Sequence, residues 1–223
     1  MSLIDRISTR ALLLVGFFSL TFSAAAHAVP IYQAMSVTAT RADFGGPFAL
    51  VNMINQSGLS AAYTSGVTDF GTFTGSTTHV SPGSGTNSGF SVGPDGQFSF
   101  DLGSVLTIQG LAFWATGNIG SVKDFSVYSD TDQIWGNGVG ALLGSFGALG
   151  SSGGPDAAQI FGFSSATSTQ FLHIDILTTQ GGVGFQPGIG EIAFQGAEAV
   201  PEPASLLLLG TGLAGLVLRR RRI

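Results

Sequence analysis

The middle of this 223-residue chain predicts an all-β domain built from two packed antiparallel sheets. Three observations carry that expectation. Glycine is abundant, at 34 residues, and Phe, Val, Ile and Thr are plentiful. Apolar runs are short and separated by clusters of Gly, Ser, Asn and Asp, the usual punctuation of strands and turns. Outside the two termini, no window carries a 3.6-residue apolar stripe longer than about three turns.

Taken in order, residues 1–28 read as a secretory signal peptide. Arg6 and Arg10 give a positive start, Ala11–Ser23 is apolar, and Ala26-His27-Ala28 is a small-x-small cleavage site that would leave Val29 as the new N-terminus. An uncleaved signal anchor is the competing reading. Thirteen apolar residues are short for a membrane span, and Ala26 and Ala28 are well placed for signal peptidase after passage through the Sec translocon.

Residues 29–199 suit one domain with its own core. They hold two basic residues, Arg41 and Lys123, against eleven acidic ones, a formal charge near −9. Nucleic acid and anionic membrane surfaces are therefore excluded as partners, because both are met by clustered Lys and Arg. Cysteine is absent, which removes disulfides, thiolate metal sites and a cysteine nucleophile. Candidate strands are Thr68–Thr74, Gln97–Leu102, Leu106–Thr116, Val122–Ser129, Ala141–Phe146, Gln159–Phe163, Phe171–Thr178 and Glu191–Gly196. The clearest alternation puts Leu172, Ile174 and Ile176 on one face and His173 and Asp175 on the other. Eight such strands suit an eight-stranded antiparallel jelly-roll β-sandwich. The Ser/Gly-rich stretches Gly75–Gly89 and Gly147–Gly154 read as mobile loops.

The last segment, Val200–Ile223, has three parts in fixed order. Pro201, Glu202 and Pro203 form a rigid polar triplet, Ala204–Leu218 carry no charge, and Arg219, Arg220, Arg221 and Arg222 follow. Fifteen helical residues span roughly 22 Å, short of a hydrocarbon core of about 30 Å. A short C-terminal transmembrane helix with an arginine stop is the plain reading. The order of parts also resembles the PEP-CTERM sorting signal of Gram-negative bacteria. That resemblance implies a transient inner-membrane hold and processing near Pro201–Pro203 by an exosortase-type membrane protease. It also implies export to the cell surface or extracellular matrix.

A second resemblance covers about Ala34 to Gly196. Phe48–Asn55, Ser60, Tyr63, Phe98–Gly103, Leu106–Leu111, Trp114, Val122–Ser129, Phe171–Ile176 and Ile189–Phe194 follow one another as in discoidin domains of the galactose-binding-like superfamily. It implies a jelly roll that binds glycans, lipids or proteins through loops at one end and does no chemistry. It also implies a structural calcium site, which here falls on Asn52, Asn55, Ser57, Ser60 and Glu191. Asn52 stands where the family has aspartate, and Met53 where it has glycine, so Glu191 is the one assured anion. Calcium takes six to eight oxygens, and a hydrogen-bonded loop without an ion is the alternative.

Side-chain chemistry adds little that is catalytic. Phe98, Phe100 and Leu102 share a strand face, leaving Asp101 as a solvated or turn-bonding carboxylate. Tyr63 and Trp114 read as core. Trp135, beside Gly136-Asn137-Gly138, is the residue whose loop position suits ligand contact. His79 and His173 have no partners at a ligand spacing. Gly150-Ser151-Ser152-Gly153-Gly154 has the letters of a nucleophile elbow without its strand–turn–helix frame. Gly136–Ala141 matches a dinucleotide fingerprint by letters only. Asp130 and Asp132 sit in a polar turn, and nothing selects them as a glycosidase pair. The expected function is an exported, non-enzymatic protein of the surface or exopolysaccharide matrix that binds carbohydrate through its loops. A polysaccharide-modifying hydrolase on the same scaffold and a purely structural matrix protein are the alternatives.

Overall fold

A computed structural model describes residues 28–80, 88–91, 96–116, 120–151, 155–182 and 185–198. The signal peptide up to His27, the sorting tail from Val200 and residues 152–154 lie outside them, as do residues 81–87 of the loop expected within Gly75–Gly89. Among the described residues no helix is long and apolar enough to cross a membrane.

Two long antiparallel strands organise the domain: β5 (Gly96–Trp114) and β9 (Gln159–Thr179). Each joins two of the strand segments expected from sequence. They pair along nearly their whole length, with register shifts between Asp101 and Leu106 and between Ile108 and Gly110. Before the first shift, β2 (Ser36–Ala39) flanks β5 while β6 (Val122–Asp130) and then β7 (Leu142–Gly147) flank β9. After it, β11 (Glu191–Gly196) flanks β5 and β1 (Ile31–Tyr32) closes the edge. Shorter pairs, β3 (Thr78–His79) with β8 (Asp156–Ala157) and β4 (Gly89–Phe90) with β10 (Gly188–Ile189), tie down the connections.

The sheet folds over itself at the shift, so the two halves of β5 and β9 lie in opposite layers. Phe100 in the first half of β5 meets Phe194 of β11 at 5.6 Å between ring centroids. Phe125 of β6 meets Phe113 and Phe161 in the second halves at 5.5 and 5.0 Å. These contacts are possible only between facing layers. The interior is one apolar cluster that includes Phe98, Leu111, Val127, Leu172, Ile174 and Ile192. Burying each large side chain contributes about 1.5–3 kcal/mol. The result is a two-layer β-sandwich of jelly-roll type, as the alternating residues led one to expect.

One segment differs. Thr68–Thr74, expected as a strand, is replaced by helix α1 (Phe70–Ser76). Asp69 caps it, its Oδ1 accepting the Thr72 N–H at 2.8 Å. Phe70 and Phe73, three apart, then reach one side. They pack with Tyr63, Ile31 and Trp114 on the outer face of the β1–β11–β5 layer. Ala112 and Ala193, register partners in that layer, leave the room for them. Trp114 and Tyr63 are core residues, as expected, and the Trp114 Nε1–H donates to the Thr77 carbonyl at 3.1 Å. Asp101 bonds a turn, accepting the Gly103 N–H at 2.7 Å where Gly103 takes φ 80°.

Candidate functional site

On the outer face of the layer that holds β2, β5, β9 and β6, alternation turns Ser99 and His173 outward from the flanking apolar residues. They are register partners, and Tyr128 stands opposite His173 on the other side. Ser99 Oγ lies 2.6 Å from His173 Nδ1, and His173 Nε2 lies 3.1 Å from Asp130 Oδ2. The connection from β6 to β7 then curls back over this face. Asp132 ties the curl, its carboxylate accepting the Ile134 N–H at 2.7 Å and the Asn137 amide at 2.8 Å. Those bonds hold its carboxyl below the usual range. Gln133 pins the curl to the sheet, donating through Nε2 to the Ser99 carbonyl at 3.0 Å and to Ser36 Oγ at 3.2 Å.

This arrangement sets Trp135. Its ring meets Tyr128 and His173 edge to face at 5.9 and 5.5 Å. It is half-buried rather than free in a loop, within a 3₁₀ turn, Trp135–Asn137. Trp135 and Gly136 line an open groove of about 260 Å³ together with Thr38, Thr40, Ser99 and Gln133. The groove thus presents an aromatic ring beside hydroxyl and amide groups. Ser99, His173 and Asp130 resemble a nucleophile, base and orienting acid, but His173 is fully buried and Ser99 is 3% exposed. In that setting the trio is a polar strut beneath Trp135. Sequence gave no signal for it, because the three residues come from three strands.

The second site is at Glu191, which is fully buried at the start of β11. Its Oε2 accepts the Gln56 N–H at 2.9 Å. Its Oε1 has no hydrogen-bond partner. Burial pushes its carboxyl up to about 10, partly offset by the Gln56 N–H. Burial also pushes the neighbouring Tyr63 phenol well up, with the Glu191 charge adding to the effect. Gln56 holds the loop in a left-handed turn at φ 61°. Its side chain donates to the Tyr63 carbonyl and accepts the Tyr63 N–H. Asn52 and Asn55 bond within the loop, while Ser60 bonds β3. Asn55 Nδ2 donates to Asn52 Oδ1 at 3.1 Å, Asn55 Oδ1 accepts the Ser57 N–H at 2.8 Å, and Ser60 Oγ accepts the Thr78 N–H at 3.0 Å. The link from loop to Glu191 therefore runs through Gln56, a residue sequence reasoning missed. Among the described residues no three His, Cys, Asp or Glu side chains stand together as a metal cluster. A second concavity, about 180 Å³ and also unforeseen, is lined by Phe44, Phe48, Phe90 and Gln186.

Several solved structures are similar in outline. The family 32 carbohydrate-binding module of AlyQ, in complex with 4,5-unsaturated mannuronic acid, is 19% identical. The match covers 74% of this chain and 96% of that one, with a TM-score of 0.47. The family 32 module of Clostridium perfringens NanJ, in complex with galactose, is 12% identical over 76% of this chain and 98% of that one, TM-score 0.47. The family 32 module of Streptococcus pneumoniae EndoD is 13% identical over 73% and 95%, TM-score 0.48. No curated protein matches the chain. Residues 199–222 match the PEP-CTERM protein-sorting motif, so the chain carries the tail of a sorted, exported protein.

Proposed function

We propose that this is an exported, non-catalytic protein that binds carbohydrate in the groove beside Trp135. The observation that carries the reading is the indole held at fixed angle beside Thr38, Thr40 and Gln133. An aromatic face takes the apolar side of a sugar ring, and neighbouring hydroxyl and amide groups take its hydroxyls. A formal charge near −9 on residues 29–199 favours neutral sugars over polyanions. Titration calorimetry against neutral oligosaccharides and the host's extracellular polysaccharide tests this. Trp135→Ala is expected to weaken binding about 30-fold or more, the loss typical of a central aromatic anchor, while the thermal transition stays near that of the parent. Unchanged affinity in Trp135→Ala would move the site elsewhere; no binding to any glycan would favour a structural matrix role.

A hydrolase is the second reading, and the Ser99–His173–Asp130 contact is its one support. Burial of the hydroxyl weighs against it, and labelling of Ser99 by a fluorophosphonate would revive it.

At the ends, signal peptidase would cut after Ala28 following Sec export. An exosortase-type protease would act near Pro201-Glu202-Pro203 while Arg219–Arg222 stay on the cytoplasmic side of the inner membrane. The product would reside at the surface or in the exopolysaccharide matrix. Mass spectrometry of surface and medium fractions reads both termini; an extracellular form still ending at Ile223 would sink the tail's part.

The residues at Glu191 fit a calcium ion in one respect: a buried carboxylate oxygen there has no partner. Glu191 would hold the ion together with oxygens of the Asn52, Asn55, Ser57 and Ser60 loop. One carboxylate would hold it weakly. Millimolar calcium is then expected to raise the melting temperature of the parent and not of Glu191→Gln, by scanning calorimetry.

A further inference from the structure

The point where the chain joins the fold is built around the nitrogen of Val29. The Val29 N–H donates to Asp69 Oδ2 at 3.1 Å. The Val29 carbonyl accepts the Phe70 N–H at 2.7 Å, and the next residues are secured by Ile31 N–H to the Thr68 carbonyl and Gly196 N–H to the Pro30 carbonyl. Val29 packs against the cluster of Ile31, Tyr63, Phe70, Phe73 and Trp114, whereas Ala28 is exposed. The other oxygen of the same carboxylate caps α1.

We propose that removal of the signal peptide between Ala28 and Val29 completes the domain, because the amine it frees forms an ion pair with Asp69. The inference rests on the cleavage reading above. Hydrolysis consumes one water: its hydroxyl goes to the Ala28 carbonyl carbon and its hydrogen to the Val29 nitrogen as the C–N bond breaks. The freed amine then takes a proton from solvent. A neutral N–H donor to Asp69 becomes a cationic one without a change of position, and charge-assisted hydrogen bonds are the stronger kind. Asp69 then joins the new terminus to the cap of the helix that covers Trp114. Maturation thereby tightens the outer layer, while the uncut precursor keeps the weaker bond.

The full chain is expressed in an exporting bacterial host and recovered after processing. Intact mass and N-terminal fragments are expected to place the terminus at Val29; cleavage elsewhere overturns the proposal. A variant with Gly-Ser inserted after Ala28 moves the amine away while keeping the fold's residues. It is expected to melt about 1–4 °C lower, the range of a surface pair, with the difference shrinking in 1 M salt. Asp69→Asn keeps a capping oxygen. It is expected to lower the parent's melting temperature and to add little further loss in the inserted variant. As a readout independent of stability, acylation of the Val29 amine at pH 7.5 is expected to be about 3- to 10-fold slower in the parent than in Asp69→Asn, since a protonated amine does not react. Correct cleavage with additive melting shifts and equal acylation rates would overturn the ion pair and leave the carbohydrate reading intact. Loss of glycan binding alone would touch only the latter.

Discussion

In the presence of a chelator, the sandwich is expected to lose stability steadily as pH rises from about 5 towards 10, and Glu191→Gln to abolish the loss. Glu191 is buried with one oxygen unpartnered, and its carboxyl is pushed from 4.5 up to about 10. A raised carboxyl favours the protonated form in the folded state. The contribution is fully present below the unfolded value near 4.5. Above it the unfolded chain releases a proton that the folded chain keeps, so each pH unit up to about 10 costs at most about 1.4 kcal/mol. Glutamine copies the neutral acid and carries no proton to lose, so its stability should be flat over the same range and exceed the parent's at pH 8. Calcium bound to the carboxylate would oppose the trend, because the ion favours the charged form. Urea denaturation at pH 6, 7.5 and 9, with and without calcium, separates these cases. A parent as stable at pH 9 as at pH 6 under chelation would refute the expectation.

Trp114→Ala is expected to cost about 3–5 kcal/mol, a large share of the 5–15 kcal/mol that holds a typical domain. Trp114 is fully buried. It lies opposite Glu191 in the sheet register and meets Phe73 of α1 at 6.3 Å. Truncation removes the packing surface under α1, opens a cavity, and leaves the Thr77 carbonyl without its indole donor. Trp114→Phe should recover much of the packing and none of that hydrogen bond. Urea midpoints for the two variants, with Trp135→Ala alongside, distinguish the buried tryptophan from the half-buried one at the groove. A loss below about 1 kcal/mol in Trp114→Ala would show that α1 does not depend on it.

The inward residues of the sandwich were legible because strand alternation leaves a direct mark: Phe98, Phe100 and Leu102, or Leu172, Ile174 and Ile176, can point one way only if the strand exists. The roles of Asp101 and Trp114 followed from their places in apolar strands, and that of Tyr63 from the resemblance to discoidin domains. Helix α1 was not legible, since seven residues rich in Gly and Thr carry no helical stripe; its formation depends on the Asp69 cap and on burial of Phe70 and Phe73 against a distant layer. The polar stretch between Phe163 and Phe171 fell outside the expected strands, yet residues 167–169 pair with 106–108 as part of β9. For the candidate sites, sequence put Trp135 in a loop beside Gly136 but not under the control of Asp132 and Gln133. It named Glu191 but not Gln56. Both omissions concern how a loop is fastened: Gln133 and Gln56 tie their loops to Ser99 and Glu191, which lie 34 and 135 residues away, and local spacing carries no mark of such contacts.

The long pairing of β5 with β9 also has a kinetic side. Gly96 pairs with Ile176, and the Ser99–His173 contact joins residues 74 apart in sequence. Each layer contains half of both strands, so neither can form while β9 is still missing. Folding must await the synthesis and emergence of nearly the whole domain, and closing so wide a loop is slow. For a sorted, exported chain such a delay would be useful: it would keep the polypeptide unfolded for passage through a membrane and let the sandwich close afterwards.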